Sequence, residues 1–168
     1  MLEIRIKDAV LAEAAQRGMD SFVAAVVDTI TDAICGQLTS QTMAELNADQ
    51  ITLLAYNFLR EEVMDGGFVQ LIHNGYGAFI YKNPFRIAMR GWGITGLAHL
   101  ISKSHKYYSK YHEQIEQEMT DEDFMAMYEQ CPEFDIFDDE FVVNEEEWTN
   151  MVACYLDDHL ENFVKIEE

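Results

Sequence analysis

The chain is poor in helix breakers, in cysteines and, towards its end, in positive charge. Only two of its 168 residues are proline, Pro84 and Pro132, so few backbone donors are lost and long helices are permitted. The three cysteines, Cys35, Cys131 and Cys154, are an odd number with no CxxC or zinc-ligand spacing. That excludes a disulfide framework and a cysteine zinc site, and reads as buried, reduced thiols in a reducing compartment. No apolar run is long enough to span a bilayer: the most apolar stretch, 22–34, is interrupted by Asp28 and Asp32. The first fifteen residues carry Glu3, Asp8 and Glu13 and hold no apolar signal core. The expected location is the cytoplasm.

The missing positive charge is the most informative absence. Residues 113–168 contain one base, Lys165, against 20 acids, whereas residues 1–112 contain ten bases and eleven acids. The whole chain carries a net charge of −20. Phosphates would be repelled by such a surface, which argues against direct binding to nucleic acid or to an anionic membrane.

Apolar residues make up 49% of the chain, enough for a core, and the length fits one domain over 1–168 that needs no staple. Helical periodicity dominates. Phe22, Val26, Ile30 and Ile34 repeat every four residues, so the spacing predicts an amphipathic helix ending at Gly36, preceded by a shorter one over 8–16. Asn47 with Gln50 three residues on marks the start of a third, striped by Ile51, Leu54, Ala55, Phe58 and Leu59 and stopped at Gly66-Gly67. A helical turn over 68–73, a turn at Asn74-Gly75-Tyr76-Gly77, an extended stretch over 78–81 and a short helix from Pro84 to Met89 follow. The longest helix is expected over 94–119, with Ile94, Leu97, Ala98, Ile101, Tyr108 and Ile115 inward. Thr120 caps another that ends before Pro132; 133–143 reads as irregular; Asn144 caps the last helix. The expected fold is an all-α, compact, single-domain multi-helix bundle with an irregular acidic connection before the last helix.

The acids admit two readings. Asp121, Glu122 and Asp123, and Glu145, Glu146 and Glu147, occupy first helical turns, where the helix dipole favours them. That does not explain Glu113, Glu116 and Glu118 near a helix C-terminus, nor Glu133, Asp135, Asp138, Asp139 and Glu140 before the last helix. The second reading is a surface kept acidic for a basic partner, centred on 113–147. Carboxylates one helical turn apart lie about 5–6 Å from each other. Phosphates rise by about 3.4 Å along each DNA strand, so an acidic helical ridge can face a DNA-binding protein much as a duplex does.

Other chemistry finds little to stand on. As a calcium loop, 135–146 fails at its third position, Phe137, and at its obligatory glycine, Glu140. His99, His105 and His112 are six and seven residues apart, not the three or four that put two ligands on one helix face. His159 falls on the apolar stripe of the last helix and reads as a hydrogen-bonded core histidine. No nucleophile elbow or phosphate loop appears. The chain is therefore read as a non-enzyme with no metal and no cofactor.

At Gly66-Gly67-Phe68-x-Gln70-Leu71-Ile72-x-Asn74-x-x-Gly77 the sequence resembles a widespread bacterial family of helical domains that includes an acidic DNA mimic. The family pattern reads roughly Asn-Gly-Gly-Phe-x-Gln-Phe-Phe-x-Asn-x-x-Gly; here Asp65 stands for the first residue and Leu71-Ile72 for the aromatic pair. Gly93 and Ala98, then Asp138-Asp139, Phe141 and Tyr155-Leu156-x-x-His159-x-x-x-Phe163, extend the resemblance over 45–165. It implies a compact helical fold, a homodimer, and a partner of helix-turn-helix type, a transcription regulator drawn off its operator. Gly66, Gly67, Phe68, Gln70, Asn74 and Gly77 read as structural, with Gln70 and Asn74 serving buried backbone groups; a pocket at Gln70, His73 and Asn74 is the competing reading. Two rival functions stay open beside the DNA mimic: an immunity or antitoxin-type protein against a basic toxin, and a small-ligand domain or enzyme.

Overall fold

Helix dominates because apolar residues recur at three- and four-residue intervals through most of the chain. The computed structural model describes all residues, Met1–Glu168. Their order is β1 (Arg5–Lys7), α1 (Asp8–Arg17), α2 (Met19–Ala33), α3 (Ser40–Glu45), α4 (Ala48–His73), α5 (Gly77–Tyr81), α6 (Phe85–Gly91), α7 (Thr95–Ile115), α8 (Asp121–Gln130), a 3₁₀ turn (Pro132–Phe134), α9 (Asp135–Asp158), a second 3₁₀ turn (Leu160–Asn162) and β2 (Lys165–Glu167). The all-α class holds. Tertiary contacts divide the chain into two units, Met1–Leu54 with Glu146–Glu168, and Ala55–Glu145. Both α4 and α9 contribute to each.

In the first unit, α2 buries Phe22, Val23, Val26, Val27 and Ile30, and the last part of α9 buries Trp148, Val152, Ala153 and Leu156. Asn47 and Gln50 form the expected reciprocal cap: the Gln50 backbone N–H donates to Asn47 Oδ1 (2.9 Å), and the Asn47 N–H to Gln50 Oε1 (3.0 Å). Gln50 Nε2 then donates to the carbonyl of Phe163 (2.8 Å), and Asn47 Nδ2 to that of Asn162 (2.7 Å). These amides fix the tail so that β2 pairs in parallel with β1, Ile6 opposite Ile166. The helical reading leaves this small sheet out. Its trace in the sequence is the two-residue alternation Glu3-Ile4-Arg5-Ile6-Lys7, of which only the isoleucines are buried.

In the second unit, α7 buries Leu97, Ala98, Leu100, Ile101, Tyr108 and Ile115 and packs against α5 and α6, which bury Ile80, Phe85 and Met89. Residues 78–81 are helical, not extended, as part of α5. The larger correction concerns 133–143. It is not irregular: a 3₁₀ turn passes directly into α9 at Asp135. Asn144 is therefore not a cap but lies inside the helix, where its Nδ2 donates to the carbonyl of Glu140 (2.8 Å). Phe134, Phe137 and Phe141 are buried at helical spacing and continue into Trp148, Val152 and Leu156. Ile136, Val142 and Val143 stand exposed between them and conceal that period.

The cysteines also depart from expectation. Cys131 is buried, but Cys35 and Cys154 are exposed. Cys35 takes a positive φ of 56° in the turn after α2. His159 is half-buried; its Nδ1 donates to the carbonyl of Tyr155 (2.9 Å) and its ring stacks on Tyr155. No helix is long and apolar enough to cross a membrane.

Candidate functional site

The acids that the sequence singles out between 113 and 146 occupy three places. Glu113 lies in the last turn of α7, and Glu116 and Glu118 lie just beyond it; all three are exposed, with Glu116 Oε2 3.3 Å from His112 Nδ1. Asp121, Glu122 and Asp123 form the exposed first turn of α8, capped by Thr120, whose hydroxyl accepts from the Asp123 N–H at 3.2 Å. The third group runs along the start of α9.

That third group is not uniform. Glu133 is half-buried, accepts from the Tyr111 hydroxyl at 2.6 Å and lies 3.7 Å from Lys110 Nζ. The Tyr111 hydrogen bond holds its carboxyl below the usual range, with Lys110 assisting. Glu140 pairs with Lys103 (2.9 Å) and Glu145 with Arg60 (2.5 Å). Cations from the front of the chain thus engage three of the acids. Asp138 turns inward. Asp135, Asp139 and Glu146 remain exposed with no cation of the chain beside them, as do Glu113, Glu118, Asp121, Glu122 and Asp123. Glu129, which the sequence reading leaves out, is exposed on α8 as well.

The tail's acids are shared by both units. Met1–Leu54 with Glu146–Glu168 holds 15 acids and 4 bases, and Ala55–Glu145 holds 16 and 7. The asymmetry along the sequence is therefore not an asymmetry between units.

The glycine motif forms a corner within α4. Gly66 and Gly67 leave helical geometry, Gly67 at φ 75° and ψ −175°, a region open to glycine and little else. The corner exposes backbone groups that a continuous helix would satisfy, and other helices supply partners. The Tyr128 hydroxyl of α8 donates to the carbonyl of Gly66, and Asp138 of α9 accepts from the Phe68 N–H at 2.7 Å. Asp138 thus caps the second half of α4 from outside. Burial pushes its carboxyl up to about 7, against the lowering effect of the Phe68 N–H; Asp135 and Asp139 raise it further.

Gln70 and Asn74 do not serve buried backbone groups. Gln70 Nε2 donates to Asp65 Oδ2 (2.8 Å) and Glu62 Oε2 (3.1 Å), and Asn74 Nδ2 donates to the same Glu62 oxygen (2.8 Å). The two amides strap the far side of the corner to the helix before it. His73 Nδ1 donates to the carbonyl of Ile115 (2.8 Å), closing the C-terminus of α7, and its ring lies against Phe124. Gly77 is close to Tyr108: a Cβ there would stand 2.7 Å from Tyr108 Cε2.

Reactive chemistry has a weaker footing. Residues 135–146 are helical, so they do not wrap a cation as a calcium loop would. Burial pushes the Cys131 thiol up, away from the thiolate a nucleophile needs. A surface hollow of about 590 Å³ opens in the first unit beside β2, and none of its lining residues is Gln70, His73 or Asn74.

Two comparisons bear on the function. The family model described as "DMP19-like protein" matches residues 44–165. The DNA mimic protein DMP19 of Neisseria meningitidis serogroup B (strain ATCC BAA-335 / MC58) is 31% identical over 132 residues, 77% of this chain and 79% of that protein.

Proposed function

The chain belongs to the DMP19-like family, and on that premise we propose that it is a DNA mimic: an acidic binding protein, not an enzyme, that occupies the basic face of a DNA-binding protein. The observation that carries this reading is the set of exposed acids around the junction of α7 and α8. Glu113, Glu118, Asp121, Glu122 and Asp123 stand in solvent with no cation of the chain paired to them. Asp121, Glu122 and Asp123 are in addition fixed by a capped helix start. A partner's lysines and arginines, which would otherwise meet phosphates, gain the same Coulombic attraction here, and DNA is excluded from the occupied face. A helix-turn-helix regulator is the proposed partner, and a homodimer the proposed working form, because two copies present two such surfaces as an operator presents two half-sites.

The test is capture from the native cell extract on the immobilised chain at low salt, followed by elution with rising salt. A DNA-binding protein is expected to elute, and its duplex to be released on adding the chain in a mobility-shift measurement. Affinity should fall more than about tenfold between ~0.05 and ~0.2 M salt, as for a contact made through many charges. A regulator that stayed bound with unchanged affinity at ~0.5 M salt would count against the reading.

A further inference from the structure

The solvent face of α9 between Asp135 and Val143 is not simply acidic. Ile136 is 67% exposed, Val142 51% and Val143 81%, whereas Phe137 and Phe141 of the same turns supply the core. All three exposed residues are β-branched, which lowers helix propensity, so neither packing nor local folding explains them. Helical geometry sets Asp135 and Asp139 in one line, with Val142 to one side and Ile136 and Val143 to the other. The next acid round the helix, Glu140, is held by Lys103; Asp135 and Asp139 are free of cations. The result is a stripe with carboxylates along its middle and aliphatic side chains along both margins.

Resting on the mimic reading, we propose that this stripe docks a cationic amphipathic helix of the partner, one that presents lysine or arginine together with aliphatic or aromatic side chains on one face. A surface that copied phosphates alone would have no use for the aliphatic margins. A second copy of this chain is a poor occupant. A two-fold contact sets a patch against itself, bringing Asp135 and Asp139 of one copy towards those of the other in chains of net charge −20. A helix with a basic centre and apolar flanks satisfies both parts of the stripe. Ile136 and Val143, seven residues apart, match the seven-residue repeat of such a partner.

The test uses two synthetic helical peptides of equal charge, one with leucines flanking a lysine line and one with glutamines in place of the leucines. Fluorescence anisotropy reads their binding to the full chain from ~0.05 to ~0.5 M salt. The leucine peptide is expected to bind about tenfold more tightly. The triple variant Ile136→Ala, Val142→Ala, Val143→Ala, whose changes favour helix and so preserve α9, should abolish that preference and leave the salt slope unchanged. Asp135→Asn with Asp139→Asn should flatten the slope. Equal affinity for the two peptides with a steep slope, or no binding of either, overturns the stripe and spares the mimic reading, which rests on the acids at the α7–α8 junction. Unchanged leucine preference in the alanine variant, or conversion of a dimer to a monomer by it, also overturns the stripe.

Discussion

Gly67 and Asp138 depend on each other. The Gly67 backbone is in a glycine-only region, and a Cβ there would stand 2.5 Å from Asp138 Oδ2. Gly67→Ala is therefore expected to lower stability by about 1–3 kcal/mol from backbone strain alone, read as a reduced urea midpoint. Asp138 itself is held at about 7, above its ordinary 3.8. Between those values the folded chain keeps a proton that the unfolded chain has lost. The group's contribution is thus fully present below about pH 4, declines as pH rises, and is gone above about pH 7. Asp138→Asn keeps an oxygen for the Phe68 N–H and removes the titration. Its urea midpoint should match the wild type near pH 4 and exceed it near pH 8; a constant difference across that range would refute the assignment. The glycine pair is legible in the sequence as a helix stop. Its partners are not, because Tyr128 lies 62 residues from Gly66 and Asp138 70 from Phe68, and no local pattern encodes such a contact.

Among the helices, α8 is held loosely, as is the shorter α3. No residue of α8 is fully buried; Phe124, Met127 and Tyr128 are half-buried. Its start relies on the Thr120 cap and on three carboxylates that interact favourably with the helix dipole. Thr120→Ala should weaken it by about 0.5–2 kcal/mol, seen as faster amide exchange across α8 with α7 unchanged; equal acceleration in both helices would mean that α8 opens only with the whole unit. The long helices were legible because their buried residues keep a strict period, as Leu97, Ala98, Ile101, Tyr108 and Ile115 do in α7. The first turns of α9 were not. Exposed Ile136, Val142 and Val143 mix with buried Phe137 and Phe141, so the apolar residues alone trace no single face. The same three residues that hid the helix define its proposed docking stripe.

For the molecule as a whole, the sequence located the excess of acids but not their circumstances. Glu113, Glu118, Asp121, Glu122 and Asp123 are free as the reading requires, while Glu133, Glu140 and Glu145 are engaged by Lys110, Lys103 and Arg60, and Asp138 is turned inward. Which acids meet a cation depends on how α4, α7 and α9 pack within Ala55–Glu145, and linear charge counting contains no such information. The pairing of Arg5–Lys7 with Lys165–Glu167 has a different reach. It sets two strands separated by most of the sequence side by side, so a short flexible tether joining them would follow an existing contact, and a break opened at the solvent-facing Gly36 would leave that contact intact. Removing either strand, by contrast, strips the other of its hydrogen-bonded neighbour, so the pair tolerates a tether better than a deletion.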